Sequence, residues 1–296
     1  MPGRIINRLK DRGLRAFIGA VWHFAFPVRL PCLQQCKTLL QDGKGLEIGG
    51  PSQIFSRRGC MPVYTHARHI DNCNFDHQTL WEGRIQTGDT FRFSRSQPPG
   101  RQFVAEASDL AQIADASYDF VLSSHCIEHL ANPLLGLQAW LRVLKAGGTL
   151  LLVVPHKEGT FDHRRPVTSL QHLLDDLQAG TGEDDLTHLD EILALHDLQR
   201  DPEAGDIQQF RARSQQNLQN RGLHHHVFDT RLAVQMLDHM GLQLQAVEAV
   251  QPYHIVLLAR KPRDGETLDN RAFLAADAVF LRESPFNTDH PQQATR

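Results

Sequence analysis

The sequence predicts an α/β protein built on a doubly wound, mostly parallel sheet. Three observations predict it. A short apolar run, Leu46-Glu47-Ile48, stops at Gly49-Gly50 and is followed by Pro51-Ser52, the pattern of a strand, a tight turn and a helix start. Strand-like and helix-like segments then alternate as far as residue 154. The last of them, residues 149–154, is almost wholly apolar, as a strand covered on both faces requires.

Composition narrows the function classes. The chain has 296 residues, enough for one large domain with insertions and a sizeable core. A net charge of -3 provides no overall attraction to nucleic acid. Five cysteines, Cys32, Cys36, Cys60, Cys73 and Cys126, form no CxxC pair, which argues against a disulfide framework or a zinc finger and fits a reducing cytoplasm. Seventeen histidines are the one unusual count.

The chain begins with a basic flank, Arg4, Arg8, Lys10, Arg12 and Arg15, before an apolar run over 16–28. That run is broken by His23, ends near Pro27 and is shorter than the roughly 20 residues that span a bilayer. No small-x-small cleavage site follows. The expectation is an N-terminal helical extension over 1–43 whose amphipathic helix packs on the following domain, contact with a membrane surface being the less favoured alternative.

From residue 44 each element can be justified in turn. The glycines of the first turn allow positive φ and close approach of a ligand, and backbone N–H groups at a following helix start attract an electron-rich group. A second strand over 62–71 closes on Asp71-Asn72. Asp71 follows Glu47 by about 24 residues, near the roughly 20 at which an acidic residue meets ribose hydroxyls in nucleotide-binding βαβ units. Residues 75–101 read as loop with one short helix. A third strand over 102–107 ends at Ser108-Asp109-Leu110, on the carboxyl edge where open α/β sheets bind ligands. An aspartate there suits an exocyclic adenine amine. Residues 118–124 form a fourth strand with aromatic and β-branched content. Asn132-Pro133 then starts a helix with Leu134, Leu137, Leu141 and Leu144 at helical spacing, stopped by Lys145-Ala146-Gly147-Gly148.

The ensemble Leu46-Glu47-Ile48-Gly49-Gly50, Asp71, Ser108-Asp109-Leu110, Tyr118-Asp119-Phe120-Val121, Ile127-Glu128-His129-Leu130 and Arg142-Val143-Leu144-Lys145-Ala146-Gly147-Gly148 resembles the class I S-adenosylmethionine-dependent methyltransferases of small-molecule, type 11-like character. The first motif departs from the family's E/D-x-G-x-G-x-G in placing Pro51 where a further glycine position begins. The resemblance implies a Rossmann-like, seven-stranded sheet with a reversed last strand, and S-adenosyl-L-methionine as cofactor. It implies that Glu47 fixes the turn and that Gly49, Gly50, Pro51 and Ser52 face the cofactor. Asp71 with Asn72 would hold the ribose, Ser108, Asp109 and Leu110 the adenine, and Ser124 with His125 the floor. Carboxylates suit a sulfonium cation. The absence of Gly-Lys-Ser/Thr after the turn disfavours an ATP or GTP site.

The domain spans 44–261 and carries a largely helical insertion, or lid, over 161–226, on the substrate side after the fifth strand. Helical spacing runs over 169–176 and 188–200. Asp229 or Thr230 caps a further helix that stops at Gly241, and two strands follow over 242–250 and 254–260. The tail, 262–296, reads as one terminal helix over 272–281 followed by disorder in its final dozen residues.

Methyl transfer to oxygen needs a base to take the hydroxyl proton, and a loop imidazole suits that role. His163 is the first choice, with Asp162 as its orienting partner; His225 and His129 are the other candidates. Consecutive His224, His225 and His226 point in diverging directions and do not converge on one ion, so no metal is expected. Arg164-Arg165 either clamps an anionic acceptor or pairs with acidic residues of the insertion. The functional expectation is methylation of a small polar acceptor, a hydroxyl on a sugar or related metabolite. N-methylation of an amine is one alternative, and a non-catalytic cofactor-binding scaffold another. Neither a nucleic-acid partner nor a membrane span is expected.

Overall fold

The computed structural model describes residues 29–290, and both the amphipathic helix expected within 1–28 and the end of the tail at 291–296 lie outside them. The described part of the N-terminal extension forms α1 (Leu33–Leu40), whose Leu33, Cys36 and Leu40 enter one of two apolar clusters that sandwich the sheet.

The sheet consists of β1 (Lys44–Ile48), β2 (His69–Asn74), β3 (Gly88–Phe91), β4 (Gly100–Val104), β5 (Tyr118–Ser124), β6 (Leu144–Pro155), β7 (Gln243–Val250) and β8 (His254–Arg260). Their spatial order is β3-β4-β2-β1-β5-β6-β8-β7. Strands β4, β2, β1, β5 and β6 pair in parallel, and β8 runs antiparallel between β6 and β7. The doubly wound sheet with a reversed last strand is therefore present, with one strand more than expected. The extra strand is β3, antiparallel to β4 at the edge. It arises in a segment expected to be loop and short helix, because Phe91 and Phe93 are buried on one face while Arg92 between them is exposed, a period of two. The same segment holds a two-residue ladder, Gln78–Thr79 with Gly83–Arg84, and no helix among its described residues.

Other boundaries differ from expectation as well. The helix start at Pro51-Ser52 is only a single 3₁₀ turn, Gln53–Phe55, and the Ser52 N–H before it donates to Glu47 Oε1 at 3.0 Å and Tyr64 Oη at 2.7 Å. Strand β2 starts and ends later than read from sequence, running to Asn74. Helix α2 (Pro133–Val143) begins as expected, with Asn132 Oδ1 accepting from Leu135 N at 3.0 Å, but it passes directly into β6 at Leu144 without a glycine cap. Leu134, Leu137, Trp140 and Val143 give α2 its buried face.

The insertion is helical: α3 (Leu170–Ala179), α4 (Leu189–Leu195) and α5 (Ile207–Ser214), followed by one turn at Asn217–Asn220. Ile192, Ala204, Phe210 and Leu223 form a small core of its own. Helix α6 (Thr230–His239) follows, capped by Asp229. In the tail, two single turns, Arg271–Leu274 and Val279–Arg282, replace the expected helix. Beyond them the chain docks: Phe286 stacks on His156 with ring centroids 3.9 Å apart, and buried Asp289 accepts from Thr230 N at 3.2 Å and Ser284 Oγ at 2.5 Å. No helix among the described residues is long and apolar enough to cross a membrane.

Candidate functional site

Parallel strands deliver their carboxyl ends to one edge, and the loops leaving β1, β2, β4, β5 and β6 meet there under the insertion. Gly49 leaves β1 with φ +80°, exposed, its N–H bonded to Cys73 O at 2.8 Å. Gly50 has no room for a side chain: a Cβ there would stand 2.3 Å from the Glu47 carboxyl carbon. Its peptide is clamped by buried amides, Asn72 Oδ1 accepting from Gly50 N at 3.0 Å and Asn72 Nδ2 and Asn74 Nδ2 donating to Gly50 O at 3.0 and 3.2 Å. Gln102 completes this network through Asn74 Oδ1 at 2.9 Å. The turn is thus rigid, and its N–H groups are satisfied internally rather than offered to a ligand.

Glu47 is fully buried beneath the turn, and burial pushes its carboxyl up to about 7 against the opposing hydrogen bonds from Tyr64 and Ser52. Its Oε1 accepts from Ser52 N across the turn at 3.0 Å. Asp71 is placed differently from the expectation. It lies inside β2, opposite Leu46, and its oxygens are held by Lys44 at 3.2 Å, His69 at 2.7 Å, Tyr118 Oη at 2.9 Å and Arg101 N at 2.8 Å. The residues that emerge from the end of β2 are Asn74 and Phe75. After β4 the shift runs the other way, because β4 ends at Val104 rather than 107: Asp109 is exposed, and Ser108, Asp109 and Leu110 line a shallow hollow against Leu135 and Gln138 of α2. Glu106 is the carboxylate that reaches the insertion, pairing with Arg221, whose guanidinium lies 5.4 Å from the Phe75 ring centroid.

Beyond β5 the site becomes rich in titratable groups. Ser124 is buried, and His125 adopts φ +51°, a strained value for a residue with a side chain. Its Nε2 lies 2.8 Å from Nδ1 of His254 on β8, and its ring meets Tyr253 edge-on. Burial, assisted by His254 and His224, pushes His125 well below the usual imidazole range, and burial alone brings His254 down to about 4. Glu128 is buried with Oε2 unpartnered, and burial raises its carboxyl to about 7 despite nearby His224. His129 Nδ1 lies 2.9 Å from Leu223 O, and its ring contacts His224 and the exposed Trp81 at 4.7 and 4.9 Å.

The pairing within the insertion also differs from the expectation. His163 Nε2 lies 2.9 Å from Asp197 Oδ2, which Arg164 also approaches at 3.3 Å. Asp162 turns inward instead, its Oδ2 2.5 Å from His224 Nδ1 and its Oδ1 accepting from Arg165 at 3.0 Å. Burial alone would raise Asp162, but His224 and Arg165 outweigh it and hold the carboxyl down to about 2. Arg165 is itself buried, donating to the carbonyls of His224 and His225 and to Glu191. Both arginines therefore make ion pairs within the insertion. The three consecutive histidines diverge: His224 faces Asp162 and His129, His225 Nε2 meets Asn217 at 2.9 Å, and His226 Nε2 lies 3.2 Å from Ala131 O.

Of the residues expected in the site, the structure gathers Glu47, Gly49, Gly50, Pro51, Ser52, Asn72, Ser124, His125, His129 and Asp162 at the carboxyl edge and beneath it. It holds Asp71 in mid-strand, Asp109 at the surface, His163 on Asp197 and His225 on Asn217. Glu106, Tyr253 and His254 are chemical groups to which sequence reasoning gave no role, and it took Glu128 only as part of a motif and His224 only as part of the histidine run. The hairpin Gln251-Pro252-Tyr253 was the one available signal, since it must return β8 at the same edge.

A family model described as a methyltransferase domain matches residues 89–152. No match is found among curated proteins. Solved structures similar to this chain include an S-adenosylmethionine-dependent methyltransferase of Methanosarcina mazei (16% identity, 80% of this chain and 100% of that one, TM-score 0.45). Another from Mesorhizobium loti is 13% identical over 78% of this chain and 96% of its own, with a TM-score of 0.43. The 1,6-didemethyltoxoflavin-N1-methyltransferase of Burkholderia thailandensis, with bound 1,6-didemethyltoxoflavin and S-adenosylhomocysteine, is 12% identical over 78% and 79%, with a TM-score of 0.41.

Proposed function

We propose that the chain is a class I, S-adenosylmethionine-dependent methyltransferase, a reading supported by the match of residues 89–152 to a methyltransferase domain, and that it methylates a hydroxyl of a small polar acceptor, a sugar or related metabolite, held between the strand edge and the insertion. The observation that carries this reading is the buried pair of His224 Nδ1 and Asp162 Oδ2 at 2.5 Å, beside Glu128 and His129. Asp162 orients the imidazole through one nitrogen, leaving Nε2 to accept the acceptor's proton.

The site's groups suit the cofactor. Glu128 Oε2 and Glu183 Oε2 are buried carboxylate oxygens without hydrogen-bond partners, and such atoms favour a cation. Exposed Gly49 would present its backbone over a turn held by Gly50, Asn74 would take the ribose role first expected of Asp71, and Phe75 with Glu106 would flank the adenine. The bound cofactor supplies an electrophilic methyl group. The protein's own work is to position the acceptor near that carbon and to receive a proton at His224. Trp81, Tyr253 and the neutral rings of His125 and His254 line the acceptor side and limit water. Five unpaired cysteines support a reducing, cytoplasmic setting.

An amine acceptor is the second reading, favoured by the same unpartnered Glu128 Oε2, which would meet an ammonium group. Calorimetry with S-adenosylmethionine, followed by S-adenosylhomocysteine release across polyhydroxylated and amine acceptors, tests both. Turnover confined to amines would overturn the hydroxyl reading. Cofactor binding without turnover of any acceptor would favour a scaffold role.

A further inference from the structure

A second cluster of histidines lies under the insertion, apart from the His224 pair. His172 and Asp176 are one turn apart on the same face of α3. His188 sits immediately before α4, and His226 comes from the segment that leads into α6. Donor atoms of the three histidines all lie within 4.8 Å of one another. His172 Nε2 is 3.0 Å from His188 Nε2 and 3.4 Å from Asp176 Oδ2, and that oxygen is 3.7 Å from His226 Nε2.

The hydrogen-bond inventory of this cluster does not close. One proton between His172 and His188 satisfies their contact and leaves nothing for Asp176 Oδ2, a buried oxygen without a partner. His226 is 1% exposed, and with its Nε2 on Ala131 O its Nδ1 keeps a lone pair that also has no partner. Three nitrogen lone pairs and one carboxylate oxygen are a tetrahedral donor set. Metal–ligand bonds of about 2.0–2.1 Å put neighbouring donors roughly 3.3 Å apart, the scale of His172 Nε2 with His188 Nε2 at 3.0 Å and with Asp176 Oδ2 at 3.4 Å, and His226 would join them through Nδ1. The supporting contacts match as well. Thr181 Oγ1 donates to Asp176 Oδ1 at 3.0 Å, fixing the carboxylate while freeing Oδ2, and Ala131 fixes the His226 tautomer.

We propose that His172, Asp176, His188 and His226 bind one divalent ion of the zinc class. Four protein ligands close the coordination shell, so the site is structural: it fastens α3 and the turn before α4 to the segment that carries His224 into the methyl-transfer site. Nothing in this assignment depends on the acceptor or on turnover.

The test uses full-length protein stripped with a chelator and titrated with Zn²⁺ alone, with Co²⁺ substitution as an independent spectroscopic readout. One equivalent of Zn²⁺ and the visible absorption of tetrahedral Co²⁺ are expected. His188→Ala and Asp176→Asn, with secondary structure checked by circular dichroism, should each weaken Zn²⁺ binding at least about a hundredfold, and His224→Ala should retain it. The proposal is overturned if the folded wild-type protein binds no Zn²⁺. It is overturned equally if His188→Ala and Asp176→Asn bind as tightly as wild type, or if the ion is lost only in His224→Ala, which would move it to Glu128, His129 and His224.

Discussion

His224 Nδ1 lies 2.5 Å from Asp162 Oδ2, whereas the adjacent His163 pairs with Asp197 from the other side of the insertion. Neighbours in sequence thus serve different environments, and the difference can be measured. His224→Ala should lower kcat by about 10²–10⁴-fold, the usual contribution of a positioned base, with the cofactor Kd unchanged. His163→Ala should leave kcat within about twofold, since its ring contacts Asp197 rather than the Asp162–His224 pair. Single-turnover release of S-adenosylhomocysteine decides between them; the reverse pattern would restore His163 as the base.

Asn74 and Asp71 make a second contrast within one strand. Asn74→Ala removes amide contacts from the glycine turn and should weaken cofactor binding by about 3–10-fold, the worth of roughly one net hydrogen bond. Asp71→Ala strips buried Tyr118 of its acceptor and Lys44 and His69 of their carboxylate and, because Lys44 and His69 are 38% and 33% exposed, should cost about 1–3 kcal/mol of stability in denaturant unfolding. Its folded fraction should bind cofactor with little change. A large loss of cofactor affinity in folded Asp71→Ala would return the ribose role to that residue.

Glu47 predicts a pH dependence of stability. Burial raises its carboxyl from 4.5 to about 7 in the folded protein, so the native state holds a proton over that range that the unfolded chain has released. Its contribution is therefore fully present below pH 4.5 and is lost as pH rises towards 7, by up to about 3 kcal/mol. Other buried carboxyls and histidines titrate too, so the informative quantity is a difference. The stability of Glu47→Gln relative to wild type should rise between pH 4.5 and 7 and then level off. A difference that is flat across this window would mean that Glu47 is ionised throughout.

The parallel sheet could be read from sequence where a strand is buried on both faces and gives a continuous apolar run, most plainly at residues 149–154. Glu47, Gly49 and Gly50 were legible for a related reason: a turn that excludes a Cβ at Gly50 leaves a glycine in the sequence. Register was not legible. A strand ending at Asn74 instead of Asp71 moves the edge residue by three positions, and long-range pairings fix that end, Ile48 with Cys73 on one side and Val104 with Asn74 on the other. After β4, Asp109 drew attention as an aspartate in a motif, yet Glu106 is the carboxylate that meets the insertion. The histidine partners lay furthest from view. His224 with Asp162 and His226 with His172 span 62 and 54 positions, and no local period encodes contacts of that range.

Arg221 sets the last prediction, on how the insertion is held closed. Its side chain is 8% exposed, pairs with Glu106 beyond β4 and lies 3.8 Å from Glu183, while Glu183 also accepts from Ala131 N at 3.3 Å. One guanidinium therefore bridges the sheet edge and the insertion. Arg221→Ala leaves two carboxylates facing each other, and Glu183, already raised to about 7 by burial, should move further up. Because Glu106 is 37% exposed, the cost should be about 1–3 kcal/mol, below that of breaking a fully buried pair. The insertion has its own small core around Phe210, so the loss should appear as local opening rather than global unfolding. Hydrogen exchange should accelerate over 181–226 at least about fivefold and stay unchanged in β1, β5 and β6. Uniform acceleration across the sheet would show that the insertion and the sheet unfold as one unit, with Arg221 no more than a contributor to overall stability.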